Sequence, residues 1–404
     1  MQIASQVIPS ETTSQDSDSR LKKFAHQLAG AHVVVPAGRD TVKTPRIQNT
    51  DVLDTLQSWD LVLHNANTIF KSVPAKDIPV SRAGEWMLDN FYIVKQTLRQ
   101  IEEDLPGNFL IQLPKLDGTP LQGHTRIFAL AREWISYSQC QIDLTQAAIF
   151  MQEYQQVTPL TIGELWALPI MLRIGILERL TYATAALTGI DVPKGLKEIP
   201  NRFDFQSLTN DTLVANCFLS LRLLLATDWK DIFEQTSRVE RILRDDPAAI
   251  YAGMDFDTRN NYRNVIEELA RHSTFSEEGV ALAAIDFSRT ADGTVPKRKL
   301  HVGFYLIDTG RAALEQKIDY KPGMRICIQR AFLKSPTVAY LGSIAIFSIL
   351  FVLGLLAYTK FFGGSLIQLL LVGVLGLGLS VESAIVLVHW NVTRRIKPQS
   401  LPRM

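Results

Sequence analysis

Residues 337–358 (TVAYLGSIAIFSILFVLGLLAY) run for 22 positions without a charged side chain, and residues 365–388 (SLIQLLLVGVLGLGLSVESAIVLV) run for 24 with one, Glu382. A helix of that length and composition is long enough to cross the ~30 Å hydrocarbon layer of a bilayer. A core helix of a soluble protein usually keeps a polar face. Six residues, 359–364, separate the runs and leave room for a tight loop, so the pair reads as a transmembrane hairpin. Arg325, Arg330 and Lys334 precede the first run, Arg394, Arg395 and Lys397 follow the second, and the loop holds Lys360. By the positive-inside rule both ends of the hairpin are cytoplasmic and the loop faces out.

Glu382 lies six residues before Val388, about 9 Å along a helix that rises ~1.5 Å per residue. An intramembrane carboxylate is costly, and it usually faces protein or water. Glu382 is therefore the intramembrane candidate for a functional contact; the plainer alternative is a carboxyl that reaches the interface or takes a proton. Gly373, Gly376 and Gly378 share its span, where small residues let helices pack closely.

Ahead of the hairpin the chain has the character of a soluble protein. Lys+Arg number 42 and Asp+Glu 41 over 404 residues, and this balance argues against nucleic acid as a partner. Cys140, Cys217 and Cys327 are scattered and odd in number, which fits reduced cytoplasmic thiols rather than a disulfide framework. Residues 1–20 show no signal peptide and are polar enough to be expected disordered. The expected organisation is a mainly α protein: a disordered start at 1–20, a cytoplasmic helical domain over 21–330, the hairpin over 331–397 and a short linker at 398–404.

Within the helical domain, Met87, Phe91, Val94, Leu98, Ile101 and Leu105 recur at helical spacing, and Pro106-Gly107 stops that helix. Residues 113–123 read as a connecting loop, with helices over about 125–138 and 143–155. Thr161 and Glu164 have the form of a capping box. The helix they open contains Pro169, where a kink or break is expected. Residues 211–226 are apolar on most sides and suit the centre of the core. Asp228 is expected to cap a helix over 229–244, Asp246 one that starts at Pro247, Asp257 one over 258–271, and Ser276 another. Residues 32–35 and 301–308 are short segments that suit either a strand or a helix.

Candidate chemistry is sparse. Asp255-Phe256-Asp257 is a D-x-D, in which two carboxylates converge on a divalent metal beside a diphosphate. The same aspartates stand just before a helical pattern, where capping accounts for them. The seven histidines show no zinc-ligand spacing, and no Walker loop, G-x-S-x-G or dinucleotide fingerprint occurs. The residues indicate no catalytic, cofactor-binding or metal site in this chain.

Five blocks nevertheless resemble, in order, the N-terminal region of cyclic β-1,2-glucan synthases: residues 84–106 (GEWMLDNFYIVKQTLRQIEEDLP), 113–133, 159–180, 215–270 and 301–311 (HVGFYLIDTGR), followed by the hairpin. The resemblance implies a large, multi-pass protein of the bacterial inner membrane that polymerises glucose from UDP-glucose with a divalent metal. Its glycosyltransferase and phosphorylase-like domains would be this chain's partners, together with the lipid bilayer. The chain holds no Q-x-x-R-W, and no Arg-Trp pair at all, so no catalytic residue carries over. It reads as the leader and first hairpin of such a synthase, truncated or split before the transferase domain. The alternative is a free-standing, membrane-tethered helical adaptor that binds a protein partner.

Overall fold

The computed structural model describes residues 11–36, 49–72, 82–105, 109–118, 121–192, 208–290, 297–324, 326–327, 330 and 335–395. Among these, fifteen α-helices and two three-residue strands make up the regular structure, apart from short 3₁₀ turns. The mainly α class is as expected. The chain divides into two compact units, Met1–Asp319 and Tyr320–Met404, so the unit boundary lies ahead of residue 330.

In the first unit, α1 spans Glu11–Ala31, α2 Asn49–Ser72 and α3 Arg82–Asp104. The start of α1 corrects the expectation of disorder through residue 20; residues 1–10 lie outside the described residues. Leu21, Phe24, Ala25 and Leu28 form a buried stripe on α1, and Phe24 stacks on Tyr137 and Phe150. Packing thus holds in helical form a segment whose first turns are polar. The face of α3 is rotated slightly from the expected one: Met87, Val94 and Ile101 are buried with Asn90, Ile93 and Thr97. Its first turn is closed from another helix, since the backbone N–H of Ala83 donates to Asp211 at 2.9 Å.

Strand β1 (Val33–Val35) pairs antiparallel with β2 (Lys115–Asp117). The second strand lies inside the segment read as a loop, because Pro and Gly at its ends mask so short a strand. Next come α4 (Arg126–Tyr137), α5 (Leu144–Val157) and α6 (Ile162–Thr188).

Helix α6 is the centre of the unit. It packs against α2, α3, α4 and the two helices that follow it, α7 (Asn210–Ala226) and α8 (Trp229–Thr236). Its side chains are buried almost all round, a role expected instead of residues 211–226. The Thr161–Glu164 capping box forms as expected, and Gly189, at φ 70°, closes the other end. Pro169 does not break the helix; neighbours on every side offset the hydrogen bond it removes.

Two further boundaries differ. The helix expected over 229–244 is divided into α8 and α9 (Arg238–Leu243) by Ser237, which accepts from the N–H of Glu240 at 3.2 Å. Asp255, not Asp257, caps α10 (Phe256–Arg271). The unit closes with α11 (Glu277–Arg289), α12 (Val302–Leu306) and α13 (Arg311–Lys317).

The second unit holds α14 (Pro336–Phe361) and α15 (Leu366–Arg395), packed on each other. Both are long and apolar enough to cross a membrane. Gly373 and Gly376 face α14: a Cβ on Gly376 would stand 2.9 Å from Leu355 Cδ1, and one on Gly373 3.7 Å from Leu356 Cδ2. Tyr340 and His389 join the helices near one end through a 2.8 Å hydrogen bond and a ring stack.

Candidate functional site

The D-x-D resolves into three separate structural tasks. Asp255 accepts from the N–H of Thr258 at 2.6 Å, and this bond, with that from the Thr258 hydroxyl, holds its carboxyl below the usual range. Phe256 covers the buried guanidinium of Arg263, 4.6 Å from its ring centroid, and meets Trp166 edge-on. Asp257 is an exposed first-turn acid, where negative charge suits the helix dipole. Among the described residues no three His, Cys, Asp or Glu side chains gather as a metal-ligand set.

Arg263 belongs to a buried ionic cluster that no short motif announces. Glu240, fully buried, accepts from Arg263 Nη1 and the Tyr251 hydroxyl, each at 2.7 Å, from Arg244 Nε at 2.9 Å and from Arg259 Nη1 at 3.2 Å. Burial pushes the Glu240 carboxyl up, but Tyr251 and the arginines outweigh it and hold it below the usual range. So saturated a carboxylate is a brace between α9 and α10 rather than a proton carrier.

A second cluster closes the start of α6. Arg126 Nε donates to Glu164 Oε1 at 2.7 Å, and its Nη2 bonds both Glu164 Oε2 and, at 2.9 Å, the carbonyl of Pro159. Glu277, from α11, accepts from the N–H of Ile162 at 2.7 Å. Burial, with Glu267 and Glu164 nearby, pushes its carboxyl up to about 8, against the lowering pull of the Ile162 N–H and Arg271.

The third cluster lines a cleft. Asp246 was expected to open a helix at Pro247; instead its carboxylate accepts from the N–H groups of Ile250, Tyr251 and Val302 and from His301 Nδ1 at 2.8 Å. Burial pushes its carboxyl up, but the bonds from His301, Val302 and Tyr251 outweigh burial and hold it below the usual range. His301 Nε2 stands 3.1 Å from the Tyr262 hydroxyl. A Cβ on Gly303 would lie 2.7 Å from His301 Nε2 and collide with that hydroxyl, so only glycine fits there without displacement. The cleft, about 470 Å³, is rimmed by Ile250 and Ile307, with Arg298 and Asp308 paired at its edge. Asp246-Pro247 was a visible signal, but its partner His301 is 55 residues away and only the fold joins them.

Glu382 lies on the exposed side of α15, while Ser380, Ala384 and Val388 are buried. No side chain among the described residues pairs with it.

No protein-family model matches the chain. The chain is 27% identical to the curated cyclic beta-(1,2)-glucan synthase NdvB of Rhizobium meliloti (strain 1021) over 368 residues, covering 72% of this chain and 13% of that protein. It therefore spans only a small part of the relative's length. The similarity, together with the helical fold and two long apolar helices, relates this chain to the N-terminal region of the cyclic β-1,2-glucan synthases.

Proposed function

We propose that this chain is the helical, membrane-anchoring N-terminal part of a cyclic β-1,2-glucan synthase. In this reading α14 and α15 are the first membrane hairpin of a multi-pass protein of the bacterial inner membrane, with both ends cytoplasmic. The helical unit positions a transferase unit that these 404 residues do not supply. UDP-glucose and the divalent metal are handled there, and a phosphorylase-like domain completes the enzyme.

The observation that carries the proposal is the alignment across 72% of the chain to a synthase of that activity. The two apolar helices support the anchoring part of it. Arg394 also lies over the Trp390 ring, 5.2 Å from its centroid, and such aromatic and cationic residues suit a membrane–water interface. Topology reporters test the anchoring directly. One fused after Met404 is expected to read as cytoplasmic, and one inserted between Phe362 and Gly363 as periplasmic. A periplasmic signal after Met404 would overturn the two-span reading.

A further inference from the structure

Along α15 two seams run on opposite sides. Gly373, Gly376, Ser380, Ala384 and Val388 turn towards α14 or are buried in the hairpin. The other seam is Leu371, Leu375, Leu379, Glu382 and Val386, with its four apolar members each more than half exposed. Glu382 thus sits in the middle of an apolar surface that its own hairpin does not cover. Gly378, one turn before it, is an open notch: a Cβ there would meet nothing within 4 Å. Small residues beside a polar one are the pattern that lets a second helix approach closely and hydrogen-bond.

We infer that this outer seam is the docking surface of a further membrane-spanning helix, which presents a hydrogen-bond donor to Glu382 and closes over Gly378. The inference rests on the membrane reading above and adds a partner to it. Three occupants compete for the seam. Lipid leaves a carboxylate unanswered about 9 Å inside the apolar run, farther than a glutamate side chain extends. A second copy, packed parallel about a two-fold axis on this seam, brings Glu382 against Glu382, where like charges oppose each other. A donor-bearing helix from the remainder of the synthase answers the charge. The chain spans 13% of its relative's length, and the rest of that relative is long enough to supply one.

The test is photo-crosslinking in membranes. The 404-residue chain, with a benzophenone amino acid at Leu379, is co-expressed with a tagged remainder of the Rhizobium meliloti synthase and a differently tagged second copy of itself. The expected result is an adduct with the tagged remainder that is lost in Glu382→Leu and in Gly378→Phe but kept in Glu382→Gln, which retains the acceptor. Adducts with lipid alone, adducts with the second copy, or an adduct indifferent to Glu382→Leu would each overturn the inference. Alkaline extraction of the same membranes separates the two readings. A chain that stays in the membrane without the adduct sinks only the docking surface, whereas a chain that washes off sinks the anchoring as well.

Discussion

Glu277 shows how a side chain acquires its chemistry from neighbours distant in sequence. Its carboxyl is enclosed beside Glu267 and Glu164, with Arg271 as the opposing cation and Arg126 already committed to Glu164. With a folded value of about 8 against an ordinary 4.5, it binds more protons folded than unfolded between those limits. Stability must therefore fall as pH rises through that window and level off above it. Glu277→Gln keeps an acceptor for the Ile162 N–H and removes the titration. The variant is expected to melt higher than wild type above pH 8 and nearly alike at pH 4.5, as followed by thermal denaturation in detergent. Equal melting temperatures at every pH would refute this assignment. The D-x-D gives a second test at the same scale. Asp255→Ala is expected to lower the melting temperature through the lost cap, with Asp255→Asn largely retaining it. Asp257→Asn should have a smaller effect, and a divalent-metal titration monitored by melting temperature should shift wild type and both asparagine variants equally.

At the scale of elements, helix ends were legible wherever the cap is local. Thr161–Glu164, Asp228 and Ser276 all cap as their spacing indicates. Caps made across the fold were not: Ala83 is capped by Asp211, 128 residues away. The same distinction governs the hairpin glycines, which are alike in sequence and unlike in place. Gly376→Ala pushes a methyl towards Leu355, whereas Gly378→Ala enters open space. Disulfide trapping between cysteines introduced on α14 and α15 should weaken with Gly376→Ala and be unaffected by Gly378→Ala. Equal trapping in both would mean that Gly376 is not at the helix–helix seam.

For the whole molecule, the two units pose separate questions, since one is a helical assembly built round α6 and the other a pair of apolar helices. The first unit contains three polar clusters, and in its Asp255-Phe256-Asp257 segment Asp255 caps α10 while Phe256 packs over Arg263. Purified in detergent with UDP-glucose and Mg²⁺ or Mn²⁺, the 404-residue protein is expected to release no UDP and to make no glucan. On the function proposed above, co-expression with the transferase part of a cyclic β-1,2-glucan synthase should restore synthesis. UDP release above background that vanishes in Asp255→Asn and Asp257→Asn would turn the D-x-D back into a metal site.

The sequence alone determined the properties that depend on neighbours a few residues apart. These are the two long apolar runs, the helical periodicity of residues 87–105, the local caps and the mainly α class. Each follows from backbone geometry and from the transfer of apolar surface, which repeat at fixed short intervals. Tertiary structure decided everything that required two distant segments to meet. It made a strand of residues 115–117 by pairing them with residues 33–35, and it carried α6 through Pro169 by surrounding that helix. It turned Asp246 from an expected helix cap into the anchor of His301, and it drew Arg259 and Arg263 onto Glu240. Charges and hydrogen-bonding groups act over a few ångströms whatever their separation along the chain. Which of them become partners is therefore settled only when the helices pack.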